Sequence, residues 1–479
     1  MPRRTRIVAT LGPATDDPDR LRAILEAGVD VARVNFSHGT ADDHRGRIAR
    51  LREAAGQLRR NVAVLADLPG PKLRVLLRAA RVLVTGQQVV FSATSSPVET
   101  DDLVITEPEL LRDVRPGDRL LLDDGRLQLE TVRNDGGRLS ARVIAGGPLL
   151  PNKGLNLPDT PMSIPGLTQR DRDALAVAAE MGVDWLALSF VRQPEAADEL
   201  RREAAAVGLT VPVMAKMERP EAVDRAEAII AAFDAIMVAR GDLGVEIPLE
   251  RVPTVQKRLI ALARAAGKPA ITATDMLDSM RENPRPTRAE AGDVANAVYD
   301  GTDALMLSAE TAIGKYPVEA VSCMSRIARE AEAHLAELGH TSDELWLSQR
   351  TVDDHVTQMA VELATEVGAD AIITPTLSGR TARLLARHRP KSAIVAPAPT
   401  NEILRRMALV WGLQPVLMDQ PSQTGADRLS AAVRAAFEAG AVRAGARVVV
   451  LAGHPLQGGE RLPTIRLVRV ADGGRAVEP

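Results

Sequence analysis

Apolar runs of strand length alternate with helical stripes along the first 70 residues. The runs are Arg6–Leu11, Val29–Phe36 and Val62–Leu68, and Pro18–Ala27 and His44–Leu58 read as helices between them. This β-α-β-α-β order predicts a parallel sheet. From Val75 to Leu150 the pattern changes to short strands broken by turn sequences such as Asp123-Asp124-Gly125 and Asn134-Asp135-Gly136-Gly137. A helical stripe is visible there only near Glu107–Arg112, so this stretch predicts a small all-β unit. After Asn156 the alternation resumes, with apolar runs at Trp185–Phe190, Val211–Met217, Ala235–Ala239, Ala270–Ala273 and Ala304–Leu307. Three βα units before the insertion and five after it, in about 250 residues, match a TIM (β/α)8 barrel. Polar residues at His340–Arg350 predict a linker. Beyond it, Ala371–Thr374, Ser392–Ala396, Pro415–Met418, Arg447–Leu451 and Ile465–Val470 predict an open α/β domain. The expected division is 1–74 and 153–340 for the barrel, 75–152 for a small inserted β-barrel, and 350–479 for the C-terminal domain.

At 479 residues the chain is too long for one core, in keeping with this division. A net charge of −3 gives no reason to expect a nucleic-acid or membrane partner, and 2% aromatic residues argue against base-stacking surfaces. Cys323 is the single cysteine, which excludes an intrachain disulfide and a cysteine metal cluster. The sequence offers no signal peptide and no apolar run of membrane-spanning length, so a soluble cytoplasmic protein is expected.

Barrel enzymes build their sites at the C-terminal ends of the strands. Polar groups stand at those ends here: Arg33 with Asn35-Phe36-Ser37-His38, Asp67 with Lys72 and Arg74, Ser189, Lys216 with Glu218, Arg240-Gly241-Asp242, Thr272 with Thr274, and Ser308 with Glu310. Glu218 and Asp242 end neighbouring strands. Two hard carboxylates without a nearby His or Cys suit Mg²⁺ or Mn²⁺. Arg33, Lys72, Arg74 and Lys216 around the same mouth suit phosphates and charge developing in phosphoryl transfer. Ion pairing at the rim explains any one of these residues; it does not explain such consistent placement. Only seven of the 60 basic residues are lysines, yet Lys72, Lys153 and Lys216 fall within these segments.

Val213-Met214-Ala215-Lys216-Met217-Glu218-Arg219 resembles the active-site signature of the pyruvate kinase family. Val31–Gly39, Met237–Gly244, Thr272–Leu277, Met306–Thr311 with Gly314–Pro317, and Lys153–Pro158 resemble further family motifs, in order along the chain. The resemblance implies transfer of a phosphoryl group between phosphoenolpyruvate and ADP, giving pyruvate and ATP. It implies that Lys216 stabilises the phosphoryl group in flight, that Arg33 contacts it, and that Glu218 and Asp242 hold Mg²⁺. Gly241 and Thr274 would position phosphoenolpyruvate, while Asn35, Phe36, Ser37, His38, Arg74 and Lys153 would face the nucleotide. The inserted unit would close as a lid, and a homotetramer is implied. The C-terminal domain resembles the family's effector domain: Thr376, Ser378, Gly379, Arg380 and Thr381 open a helix and form a candidate phosphate site for a sugar phosphate or an AMP-like effector.

One departure changes the expected chemistry. The family commonly binds K⁺ through Asn, Ser, Asp and Thr side chains. Asn35, Ser37 and Asp67 are present, but Leu68 stands at the fourth position and Lys72 where K⁺-dependent members carry Glu. A fixed ammonium predicts independence from K⁺. Asp275, Ala309 and Met217 are milder departures that remove no named group. Two other readings are a different barrel enzyme acting on phosphoenolpyruvate or pyruvate and a silent metabolite sensor. The inserted unit and the C-terminal domain oppose the first; the retained Lys216, Glu218 and Asp242 oppose the second.

Overall fold

The computed structural model describes every residue except 1, 72, 93–101, 162, 164–165, 338–350, 419–424 and 456–460. The predicted linker and Lys72 therefore lie outside the described residues.

Eight parallel strands close into a barrel: Arg6–Thr10, Val31–Asn35, Ala63–Asp67, Trp185–Leu188, Val213–Met217, Ala235–Ala239, Ala270–Ala273 and Ala304–Leu307. They follow one another around the ring in chain order, the last pairing with the first (Arg6 with Ala304). Strand periodicity sends alternate side chains to opposite faces. Val8, Val31, Leu65, Met214, Met237, Ile271 and Met306 join one core cluster, while neighbours such as Ile7, Ala9, Val64 and Val213 join the cluster beneath the helices. The first cluster also takes in Ala408 and Leu409 of the C-terminal domain, and Trp185 Nε1 donates to Arg406 O at 3.1 Å.

Threonine capping boxes start the helices Ala41–Gln57, Gln169–Glu180, Arg288–Tyr299 and Val352–Glu366. In each, a Thr hydroxyl accepts from the third helical N–H, and that residue's carboxylate accepts from the Thr N–H. A cap of this kind is worth about 1 kcal/mol.

The insertion after strand three holds a seven-stranded sheet and a two-stranded ribbon around a core of its own that includes Phe91, Leu120, Leu129 and Leu139. Leu73, Leu155 and Leu157, on the two connections to the barrel, pack into that core. The C-terminal sheet has six strands, with apolar clusters on both faces. Its first four strands in spatial order are parallel; Arg461–Val470 and Ala476–Val477 add antiparallel pairs at one edge. The edge strand Ala476–Val477 was not among the expected strands.

Candidate active site

The strand ends bring five chemically active side chains together. Arg33, on strand two, donates through Nε to Asp67 Oδ2 at 2.8 Å and through Nη1 to Thr10 Oγ1 at 3.0 Å. Asp67 is 1% exposed, and its other oxygen lies 3.5 Å from Lys216 Nζ. Lys216 donates to Ser189 Oγ at 2.8 Å, and Ser189 passes a hydrogen bond to Leu68 O at 2.8 Å. Lys216 Nζ also sits 2.6 Å from Glu218 Oε1. One buried chain of charge thus links strands two, three, four and five.

Burial alone would lower the Lys216 pKa, but the carboxylates of Asp67 and Glu218 outweigh it and hold the ammonium charged, its pKa above the usual value. Burial raises the Glu218 pKa; the Lys216 ammonium opposes this and the Asp242 carboxylate adds to it. Glu218 Oε2 accepts from Phe190 N at 2.9 Å. Oε1 is fully buried and has no aligned hydrogen-bond donor despite its closeness to Lys216. A buried carboxylate oxygen without a donor, next to a second carboxylate, is suited to a hard divalent cation. Among the described residues no cluster of three or more His, Cys, Asp or Glu forms a self-sufficient metal cage. Two protein carboxylates fit a Mg²⁺ ion whose remaining ligands are substrate oxygens and water.

Thr274 lies opposite, at the end of strand seven. Its φ of 69° and the 55° of Asp275 place two successive side-chain-bearing residues in the left-handed region. Such conformations cost on the order of 1–3 kcal/mol each and cluster at functional sites. Arg240 Nη2 restrains the turn by donating to Thr274 O at 2.8 Å; Glu310 Oε1 does so by accepting from Leu277 N at 3.1 Å. Thr274 Oγ1 accepts from Gly241 N at 2.6 Å. A Cβ on Gly241 would stand 3.2 Å from that hydroxyl, so glycine is what permits the approach. Gly241 and Asp242 belong to the first turn of the helix Arg240–Glu246, which starts directly at the end of strand six.

The residues expected to face nucleotide are spread wider. Asn35 Oδ1 accepts from Ser37 N at 3.0 Å, and His38 is exposed on the loop after strand two. Arg74 donates to Asn152 O at 2.8 Å, and Lys153 pairs with Asp123 at 2.6 Å, both where the insertion leaves and rejoins the barrel. Phe36 points elsewhere. Its ring packs on His44 with centroids 4.7 Å apart, inside the barrel core, so it supports the loop and presents no side chain to the mouth.

Sequence reasoning missed a buried group at the root of the insertion. Arg219, 1% exposed, bonds Glu246 at 2.8 Å, Glu221 at 3.1 Å and Leu157 O at 3.3 Å. Glu246 in turn accepts from Asn156 Nδ2 at 2.7 Å. Arg219 follows Glu218 directly, so the candidate metal ligand and the insertion's return connection share one short segment. Asp171 was also missed: it caps its helix and accepts from Gly70 N at 2.8 Å, fixing the loop after strand three.

In the C-terminal domain, Thr374, Thr376, Ser378, Arg380 and Thr381 line a cavity of about 310 Å³. Thr376 Oγ1 accepts from Gly379 N at 2.8 Å, and Arg380 pairs with Asp353 at 3.3 Å. Gly379, at φ 78°, precedes the helix and is not among the lining residues.

A closed barrel with paired carboxylates and a buried lysine at its mouth, an inserted β unit after strand three and a separate α/β domain define a metal-assisted phosphotransferase. Family models described as "Pyruvate kinase, barrel domain" and "Pyruvate kinase, alpha/beta domain" match residues 2–321 and 354–468. The pyruvate kinase of Geobacillus stearothermophilus is 43% identical over 461 residues, covering 95% of this chain and 78% of that protein. Pyruvate kinase 2 of Synechocystis is 44% identical, covering 96% and 78%, and the pyruvate kinase of Mycobacterium tuberculosis H37Rv is 43% identical, covering 95% and 96%. The chain belongs to the pyruvate kinase family, whose reaction converts phosphoenolpyruvate and ADP to pyruvate and ATP.

Proposed function

We propose that the barrel mouth carries out this transfer with Lys216, Arg33 and Thr274 in the catalytic roles and Glu218 and Asp242 as Mg²⁺ ligands. The bond between the phosphorus and the enol oxygen breaks, and a bond to a terminal oxygen of ADP forms; the released enolate takes a proton at its methylene carbon to give pyruvate. Mg²⁺, or Mn²⁺, would neutralise phosphate and carboxylate charge in the substrates. Lys216, kept charged by its buried carboxylate partners, faces the oxygens of the moving phosphoryl group. Arg33 is held in place by Asp67 and Thr10 and contacts the same group. Thr274 and Gly241 orient phosphoenolpyruvate, and Asn35, Ser37, His38, Arg74 and Lys153 face the nucleotide. The carrying observation is the unbroken chain Arg33–Asp67–Lys216–Glu218, which preorganises cations and a metal ligand in one dry site.

The division into a barrel (1–74 and 153–340), a closing lid (75–152) and a C-terminal effector domain (350–479) belongs to the same proposal. So do a homotetramer, a cytoplasmic location and a sugar phosphate or AMP-like effector in the C-terminal cavity. Among the described residues no helix is long and apolar enough to cross a membrane. Lys72 is proposed to replace K⁺ beside Asn35, Ser37 and Asp67. The supporting feature is Leu68, which is 1% exposed and offers no side-chain ligand.

The test is pyruvate formation with Mg²⁺ in a K⁺-free tetraalkylammonium buffer, with and without added K⁺, beside Lys216→Ala. Full activity that ignores K⁺ and disappears in the variant is expected. An absolute K⁺ requirement refutes the role of Lys72; activity in Lys216→Ala equal to the parent refutes the catalytic assignment.

A further inference from the structure

A second positively charged recess lies at the N-terminal end of the barrel strands, opposite the mouth, and shares no lining residue with the C-terminal cavity. It is an open cleft of about 560 Å³ between the approach to strand three and the edge strand Leu413–Leu417 of the C-terminal sheet. Arg52, Arg59, Arg60 and Arg405 line it, with the amides of Asn61 and Asn401. The nearby carboxylates do not balance these four charges. Asp184 takes both Arg52 and Arg405, each at 2.7 Å. Asp30 lies 3.8 Å from Arg60 but nearer to Arg3 and Arg6, at 2.8 and 3.4 Å.

Two of the guanidiniums keep donors available. Arg405 binds Asp184 through Nε, and its Nη groups bond no described residue. The Arg59 guanidinium bonds no described residue and is exposed, while its backbone N–H donates to Gly56 O at 3.0 Å. Its backbone is unusual as well. It follows the end of the helix Ala41–Gln57 with φ 52°, a left-handed position that glycine or asparagine normally fills. An arginine there accepts backbone strain while its side chain contributes nothing to internal bonding, a combination that points to a contact made outside the chain. Val416, Leu417 and Leu404 give the cleft an apolar wall beside its cationic one.

We propose that this cleft binds a phosphorylated small molecule: its phosphate on the forked donors of Arg59 and Arg405, its organic part on the apolar wall. Guanidinium groups match phosphate oxygens in pairs, and an excess of like charge in a recess concentrates anions. Arg52 and Asn61 belong to the barrel and Arg405 to the C-terminal domain, so a ligand here bridges the two domains. The site is separate from the effector cavity proposed above and stands or falls without it.

The probe is inorganic pyrophosphate, titrated calorimetrically into the full chain in Mg²⁺-free buffer, with thermal unfolding run in parallel. The comparison is with Arg59→Gly, which removes the guanidinium, relieves the left-handed strain and deletes no internal bond. The mouth and the C-terminal cavity are the same in both proteins, so the difference between the two isotherms reports the cleft. The variant is expected to unfold at or above the parent's temperature and to keep the parent's kcat. It should lose one class of pyrophosphate site, its affinity there falling at least tenfold, while Arg59→Lys retains measurable binding. Superimposable isotherms for the parent and Arg59→Gly overturn the proposal. A parent signal that equimolar chloride reproduces overturns it too, because that signal is general screening.

Discussion

Asp67→Asn removes one charge and almost no volume, which isolates the electrostatic role of the buried carboxylate. Asp67 is 1% exposed and serves two cations, Arg33 at 2.6 Å and Lys216 at 3.5 Å. Burial pushes its pKa up, but those cations more than compensate and hold it below the ordinary carboxylate range. Removing one partner from a buried pair costs about 3–5 kcal/mol, because the remaining charge is left uncompensated. Here the lower end applies: the amide oxygen still accepts a hydrogen bond, and Lys216 keeps Glu218 at 2.6 Å. The expected loss of folding stability is about 3 kcal/mol. With the charged tie to Arg33 reduced to a neutral hydrogen bond and Lys216 drawn toward Glu218, the two donors proposed to face the moving phosphoryl group shift together. Losing one such preorganised donor typically lowers turnover about 10²–10³-fold, so kcat/KM should fall at least that far. Urea unfolding gives the first quantity, and pyruvate formation coupled to NADH oxidation gives the second. A variant within threefold of the parent in kcat/KM, with an unchanged urea midpoint, refutes the shared-carboxylate argument.

Three further outcomes follow from neighbouring contacts. Arg219→Met strands Glu246 in the interior with only Asn156 as partner; urea unfolding should show a loss of about 3–5 kcal/mol. Gly70→Ala, at φ 63°, brings a methyl group within 2.8 Å of Ser189 Cβ and 2.9 Å of the Phe190 ring. It should cost about 1–3 kcal/mol by overpacking and lower kcat more than tenfold by displacing Ser189 from Lys216, both readable in the same two assays. Lys268 donates to Ile230 O and Ala231 O, and burial, opposed by Asp234 and reinforced by Arg201 and Arg383, lowers its pKa to about 8. Between about 8 and its ordinary 10.5 the unfolded chain binds the proton more tightly, so this residue makes stability rise with pH across that window. Urea midpoints at pH 7.5 and 9.5 should show that rise in the parent and lack it in Lys268→Met.

The barrel was legible because each of its strands is a short, nearly continuous apolar run, the signature of strands covered on both faces. The expected runs overshot at their ends: Val29–Phe36 narrows to Val31–Asn35, because hydrogen bonding in a barrel stops where the register with neighbouring strands stops. Ala476–Val477 escaped notice because two residues carry no period. At the site, charged residues that follow an apolar strand were visible, and Lys216, Glu218, Asp67 and Arg33 do converge. Phe36 misled because its place in a strand-end motif says nothing about which way the ring turns; His44, in the first turn of the next helix, decides that. The Arg219–Glu246–Asn156 group could not be read at all. Its members come from a strand end, the far end of a short helix and the insertion's return, and only the folded chain brings them together.

The most direct test of the central claim is single-turnover transfer of labelled phosphate from phosphoenolpyruvate to ADP by the parent and by Lys216→Met, with Mn²⁺ binding followed alongside. The account predicts that the variant keeps Mn²⁺ and phosphoenolpyruvate, since Glu218 and Asp242 remain, while the transfer step slows at least a thousandfold. Transfer in the variant within threefold of the parent would contradict it and remove Lys216 from the chemistry.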